Sequence, residues 1–332
     1  MELETLVPPP TPPSRAQRVF FNERGLRAGW RLLIFSGMLV LIFQGVTLAG
    51  RFLQELGRRS GAPAPSTPPQ TLALPIGQGI FELIGFLIVL FLSWIMSRIE
   101  RRNVGAYGLP LNRSAFTRFI TGYIFWGFLP LTVLLLVMRA LHGFYFGSLA
   151  LHGGEIIIWG LAWAFAFVMV GFQEEFVFRG YSLYTLADGI GYWPAAVIMA
   201  LIFAYAHMGN GGENRIGILA VIAFALFASA ILLRTGNLWL AVGAHAGWDW
   251  GESFFYGVND SGFQAPGHLL NPAPAHAPVW LTGGTVGPEG SVLTLILFLL
   301  LAIAVLAIYR RRPTPAPSVI TELPAAGYPT SL

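Results

Sequence analysis

An all-α, polytopic transmembrane bundle of about eight spans is the fold this sequence predicts, and three observations carry that expectation. Hydrophobic residues make up 55% of the 332 and charged residues only 11%, more apolar surface than one soluble core can hide. Eight stretches approach the roughly 20 apolar residues that a span requires, at about 30–49, 77–97, 119–141, 156–187, 192–208, 216–233, 237–256 and 291–309. The twenty basic residues are all arginine, and they gather at alternate ends of these stretches.

Residues 1–28 are polar and carry Pro8-Pro9-Pro10 and Pro12-Pro13. With no apolar segment and small-residue cleavage site ahead of the first span, they read as a disordered cytosolic tail and not a signal peptide. Arg15, Arg18, Arg24, Arg27 and Arg31 lead into that span; Arg98, Arg101, Arg102, Arg113 and Arg118 follow the second; Arg310, Arg311 and Arg312 follow the last. This is the positive-inside pattern. Threading eight spans through it predicts a multi-pass cell-membrane protein with both termini cytoplasmic and a second cytosolic tail at 311–332. The loops 142–155 and 257–290 then lie outside and contain no arginine, whereas Arg51, Arg58, Arg59 and Arg215 are exceptions on that side. With the charge distributed this way, the net +4 points to the lipid bilayer as partner, and nucleic acid is excluded.

The three spans within 29–141 are rich in Leu, Ile and Phe and read as general lipid-facing packing. Gly61–Gln70 and Asn259–Pro288 read as external loops, and 98–118 as a cytosolic connector with the turn Tyr107-Gly108-Leu109-Pro110. No internal repeat is visible. The absence of cysteine excludes disulfides, thiolate metal ligation and thiol catalysis; the absence of lysine excludes Schiff-base and Ser-Lys chemistry.

Three polar constellations interrupt the later spans. The first is Glu174-Glu175-x-x-x-Arg179, charges that are costly inside a bilayer and so imply mutual pairing and a purpose. Glu175 and Arg179 stand at i and i+4 and suit an ion pair. Glu174 points about 100° away around the helix and is left free to take a proton from water, as a general base does. The second is Phe203-x-x-x-His207 and the third His245-x-x-x-Asp249. Asp188-Gly189-Ile190-Gly191 marks a hairpin turn. Glu174 and His207 lie 16 and 17 residues from residue 190, so antiparallel helices bring them to one height, roughly 25 Å from the turn. His245 lies ~14 Å above the start of its own span. If the hairpin protrudes into the cytosol, these groups share a cavity open toward the cytosol.

Together, E-E-x-x-x-R, F-x-x-x-H and H-x-x-x-D resemble the CPBP family, which unites type II CAAX prenyl endopeptidases with bacterial bacteriocin-processing and self-immunity (Abi-like) proteins. The resemblance covers about 155–310, including Thr282-Gly283-Gly284 and Gly287-Pro288-Glu289-Gly290-Ser291. It implies an intramembrane endopeptidase core acting on a membrane-associated or prenyl-like peptide. Glu174 would activate water, His207, His245 and Asp249 would complete the site, and Glu175 and Arg179 would orient it or hold it together. Asp249 stands where prenyl-processing members carry Asn, so the substrate does not follow from the motif. On chemistry alone, His207, His245 and Asp249 suit Zn²⁺ with an open position; equally, His207 and Asp249 suit a substrate carbonyl and its developing oxyanion. The alternative function is a non-proteolytic scaffold or self-immunity protein using the same cavity.

No H-E-x-x-H, G-x-S-G or G-x-G-D occurs, which disfavours site-two-type zinc, rhomboid-like serine and presenilin-like aspartyl chemistry. His152-Gly153-Gly154-Glu155 reads as a helix start, His268 and His276 as solvated loop residues, and Pro288-Glu289 as the first turn of the last helix.

Overall fold

The computed structural model describes residues 14–22, 25–59, 71–273 and 275–309. The expected tail at 311–332, the expected loop at 61–70 and residues 1–13 of the expected tail at 1–28 lie outside them; from residue 14 that N-terminal stretch is not the disordered tail expected, since it folds back on the bundle. From the N-terminal segment, a short helix Arg15–Phe20 and a two-residue hairpin lead into the bundle, with Phe20 packed on Trp30 at a ring separation of 4.9 Å.

Helices then follow the expected spans: α1 is Ala28–Arg59, α2 Ala73–Ile99, and α3 runs from Ala115–Thr121 through a π-helical stretch Gly122–Phe128 into Leu129–Ala140. After them come α4 Gly154–Arg179, α5 Tyr181–Ile190, α6 Tyr192–His207, α7 Arg215–Thr235, α8 Trp239–Trp250 with a π-helical end Gly251–Tyr256, and α9 Val292–Ile308. Ala28–Arg59, Ala73–Ile99, Ala115–Ala140, Gly154–Ile190 and Arg215–Thr235 are long and apolar enough to cross a membrane, and Tyr192–His207 and Val292–Ile308 are shorter apolar helices. The chain is therefore an all-α polytopic bundle.

The expected fourth span, 156–187, breaks at Gly180, between α4 and α5. There the backbone turns at φ −78°, ψ −126°, and an added Cβ would stand 2.3 Å from the Phe176 carbonyl oxygen. Only a residue without a side chain permits the corner.

At the centre lies α8, buried at every position from Leu240 to Asp249. Its Gly243 and Gly247 are spaced as G-x-x-x-G and let α3 approach until a Cβ would meet Phe119 O at 2.1 Å and Tyr123 O at 2.2 Å. Such backbone contact is how small residues weld helices together where lipid supplies no hydrophobic drive. It fixes the rotation of α8, and hence the direction in which His245 and Asp249 project.

Asn214 caps α7 by accepting hydrogen bonds from the backbone N–H groups of Ile216 and Gly217 at 2.9 and 3.0 Å, satisfying donors that a helix start leaves open. Pro288-Glu289 does not open the last helix. It forms a separate 3-10 turn, Pro288–Gly290, because Ser291 is extended and caps α9 itself, its hydroxyl accepting from Leu293 N–H at 3.1 Å. His152 and Glu155 make no side-chain cap either: α4 starts at Gly154 after Gly153 at φ 56°.

The loops expected outside are joined. Tyr145–Leu149 pairs antiparallel with Leu270–Ala273, a two-stranded ribbon that short Gly- and Pro-rich loops did not announce. His268 is half-buried, its Nδ1 2.7 Å from Ala265 O, and so is not a freely solvated residue.

The two ends of the bundle differ in charge. At one end Arg31 meets Glu100 at 2.7 Å and Asp188 at 3.1 Å, and Arg102 meets the same two acids at 3.6 and 3.1 Å. This network ties the start of α1 to the end of α2 and to α5.

Candidate active site

Glu174 and Glu175 project from the last turns of α4, His207 from the end of α6, and His245 and Asp249 from one face of α8. Glu175 is fully buried and receives two donors on Oε1: Arg179 Nη1 at 3.1 Å and His245 Nδ1 at 3.0 Å. Arg179, itself buried, stands over Phe203 with Cζ 4.4 Å from the ring centroid. The expected Glu175–Arg179 pair therefore exists, and it has a job the sequence did not disclose. By accepting from Nδ1, Glu175 fixes the orientation of His245 and turns Nε2 inward, as an outer-shell carboxylate does for a working imidazole.

What Nε2 faces is Glu174. The Oε2 of Glu174 lies 3.8 Å from His245 Nε2 and 4.0 Å from His207 Nε2, and Asp249 Oδ2 lies 3.6 Å from His245 Nε2. His207 is turned the same way, since its Nδ1 sits 2.8 Å from the Phe203 carbonyl oxygen. These separations exceed direct hydrogen bonds, and Glu174 Oε2 is buried without a hydrogen-bond partner. Such an orphaned acceptor between two ring nitrogens is a place for water, a substrate atom or a cation. Imidazole and carboxylate are ligand types that Zn²⁺ takes, but among the described residues the ligand atoms that lie within 4.8 Å of one another are those of Glu252, Asp260 and Glu289 and not of this group.

Glu174, His207, His245 and Asp249 line one cavity of about 600 Å³, within the range of small-ligand and peptide-side-chain sites. Glu175 and Arg179 stand behind its wall. The wall is apolar on one side, with Phe167, Val170, Phe203, Phe224 and Phe298.

Several lining residues escaped the sequence reading. Gln78 and Glu82 of α2 face the cavity, so the N-terminal spans are not all lipid-facing packing. A glutamate within an apolar span was itself the signal. Asp260, Ser261 and Glu289 enter from loops, and Ser261 donates both its N–H and its hydroxyl to Glu289 Oε2, at 2.9 and 2.8 Å. Burial, with the carboxylates of Asp249 and Glu289 nearby, pushes the Asp260 carboxyl well above the usual range.

The cavity lies toward the end of the bundle opposite the Arg31–Arg102 network. Leu74 and Gln78 at the start of α2, Asn210 beyond α6, and the loops around Asp260 and Glu289 all belong to that far end, whereas Arg98 and Arg102 follow the other end of α2. The cavity lining therefore reaches the end of the bundle away from the Arg31–Arg102 network. At the turn between α5 and α6, Ile190 and Trp193 are exposed.

Residues 157–251 match the family model described as type II CAAX prenyl endopeptidase Rce1-like. That stretch holds Glu174, Glu175, Arg179, His207, His245 and Asp249. Neither a curated protein nor a solved structure matches the chain.

Proposed function

Taking as premise that this chain is a multi-pass membrane protein of the CAAX-type intramembrane protease family, we propose that it hydrolyses a peptide bond of a membrane-associated, prenyl-like substrate with Glu174 as the base. The observation that carries this reading is the unpartnered Glu174 Oε2 beside two inward-turned Nε2 atoms. A water at that point passes a proton to Glu174 as its oxygen bonds to the substrate carbonyl carbon. Glu174 then returns the proton to the departing amine.

His207 and Asp249 lie on the side where the carbonyl oxygen gathers negative charge, and a ring N–H or a protonated carboxyl there stabilises it. An ionised Asp249 would oppose that charge, so the role requires Asp249 to carry a proton or to hold a cation. His207, His245 and Asp249 are the residues that would hold Zn²⁺; when bound, the metal would supply Lewis-acid polarisation of water or carbonyl. Glu175 and Arg179 act through His245 and do not touch the substrate. The aromatic wall suits an apolar side chain or lipid group, and we place the protein in the cell membrane with both termini cytoplasmic.

The test is cleavage of membrane-tethered peptides, prenylated and not, by purified protein in vesicles. We expect wild type to cleave and His207→Ala and His245→Ala each to lose at least about 10²-fold in rate. Equal cleavage by all three would refute the assignment. Retention of a cellular phenotype by both variants, with no cleavage by any form, would favour a non-proteolytic scaffold.

A further inference from the structure

Beyond the histidines, a second group of carboxylates converges where α8 ends. Glu252 stands one turn past Asp249, and its oxygens and those of Asp260 and Glu289 come within 4.8 Å of one another. An acidic cluster on a protein surface is ordinary, because water and salt neutralise it. In this one Glu252 is buried, while Asp260 and Glu289 are half-buried on the cavity wall.

Glu252 has no solvent exposure, and neither of its carboxylate oxygens has a hydrogen-bond partner. The charged groups nearest to it are Glu289, Asp260 and Asp249, all acidic. Trp248 is close, yet its indole N–H is also without a formed hydrogen bond. A buried carboxylate facing two others without a donor is among the costliest arrangements in a protein interior, and something of positive charge must relieve it.

The geometry around Glu252 also defines what that something does. Asp260 is steadied by Ser253, whose hydroxyl donates to Oδ2 at 3.0 Å, and Glu289 by Ser261. The two loops that carry them are already joined, with Asn259 Nδ2 donating to Thr285 O at 2.8 Å and Gly262 N–H to Val286 O at 2.9 Å. Each acid thus has one oxygen held, Asp260 by the end of α8 and Glu289 by the 257–263 loop, and both lie close to Glu252.

We propose that Glu252, Asp260 and Glu289 bind one hard divalent cation, Ca²⁺ or Mg²⁺, which fastens the 257–263 and 285–291 loops to the end of α8. Carboxylate oxygens without imidazole or thiolate select these ions over Zn²⁺. The site is separate from the His207–His245 group, and Asp260, Ser261 and Glu289 are at once its scaffold and the cavity wall. Occupancy therefore sets the shape of that wall.

The experiment uses the full chain in detergent, stripped with chelator, dialysed against Ca²⁺, Mg²⁺ or Zn²⁺ separately, and analysed for retained metal and for Tm. We expect about one Ca²⁺ or Mg²⁺ per chain with a raised Tm, and affinity at least about tenfold weaker in Glu252→Gln and in Glu289→Gln. His245→Ala should retain the ion as wild type does. Asp260→Asn replaces Glu252→Gln if the latter does not fold. Absence of Ca²⁺ and Mg²⁺ retention by wild type would overturn the proposal, leaving shared protons to neutralise the cluster. Retention unchanged in the carboxylate variants, or abolished in His245→Ala, would overturn it equally, since the ion would then sit elsewhere.

Discussion

Two clusters of charge in this bundle are treated in opposite ways. At the arginine-rich end, Arg31, Arg102, Glu100 and Asp188 interlock within 2.7–3.6 Å, and Glu100 further accepts from the hydroxyls of Tyr107 and Tyr181. Among the described residues, Glu174 Oε2 on the cavity wall and both oxygens of the buried Glu252 have no hydrogen-bond partner. Charges that hold helices together each have a hydrogen-bonded ionic partner, although Arg31 Nε, Glu175 Oε2 and Arg179 Nη2 stay unbonded; Glu174 Oε2 and the Glu252 oxygens have none among the described residues. Glu175 shows that the boundary runs between adjacent residues, because it belongs to the paired kind, with Arg179 and His245 on one oxygen.

The comparison can be broken most readily at that boundary. Arg179→Ala leaves Glu175 buried without its cation, and loss of one side of a buried pair costs roughly 3–5 kcal/mol; thermal unfolding in detergent should show a large drop or no folded protein. Normal stability with cleavage alone abolished would move Arg179 into the chemistry. Asp249 is next. Asp249→Ala should lower the cleavage rate by about 10²–10³ if it serves the oxyanion, while Asp249→Asn, which keeps a donor, should lose less; equal losses would mean that the carboxylate itself is needed.

At the arginine-rich end, Arg31→Ala removes donors to two acids and should cost about 1.5–3 kcal/mol, the worth of hydrogen bonds to a charged group, with the cleavage rate per folded molecule unchanged. Tyr107→Phe should cost under about 1.5 kcal/mol, because Glu100 keeps Arg31, Arg102 and Tyr181. A larger loss in chemical unfolding would show that the network lacks the redundancy its geometry suggests.

Much of this division was legible in the chain itself. The spacing of Glu174, His207, His245 and Asp249 on helices of calculable rise was enough to place them at one height, and the i, i+4 relation was enough to pair Glu175 with Arg179. Neither reading could reveal that Glu175 also reaches His245, because that contact depends on the rotation of α8, set by glycines packed on the α3 backbone. Gly180 hid a helix break inside what read as one continuous span. Glu289 looked like a helix-start charge because Pro-Glu suits a first turn; only the extended Ser291 shows that the turn is separate and the carboxylate faces inward.

The most direct measurement sets the two neighbours side by side: cleavage of a membrane-tethered peptide and thermal stability for Glu174→Gln and Glu175→Gln. If Glu174 is the proton acceptor and Glu175 the support, Glu174→Gln keeps wild-type stability and loses about 10²–10⁴ in rate. Glu175→Gln should instead lose stability first. Full cleavage by folded Glu174→Gln would contradict the account, because a glutamine in that position cannot take a proton from water.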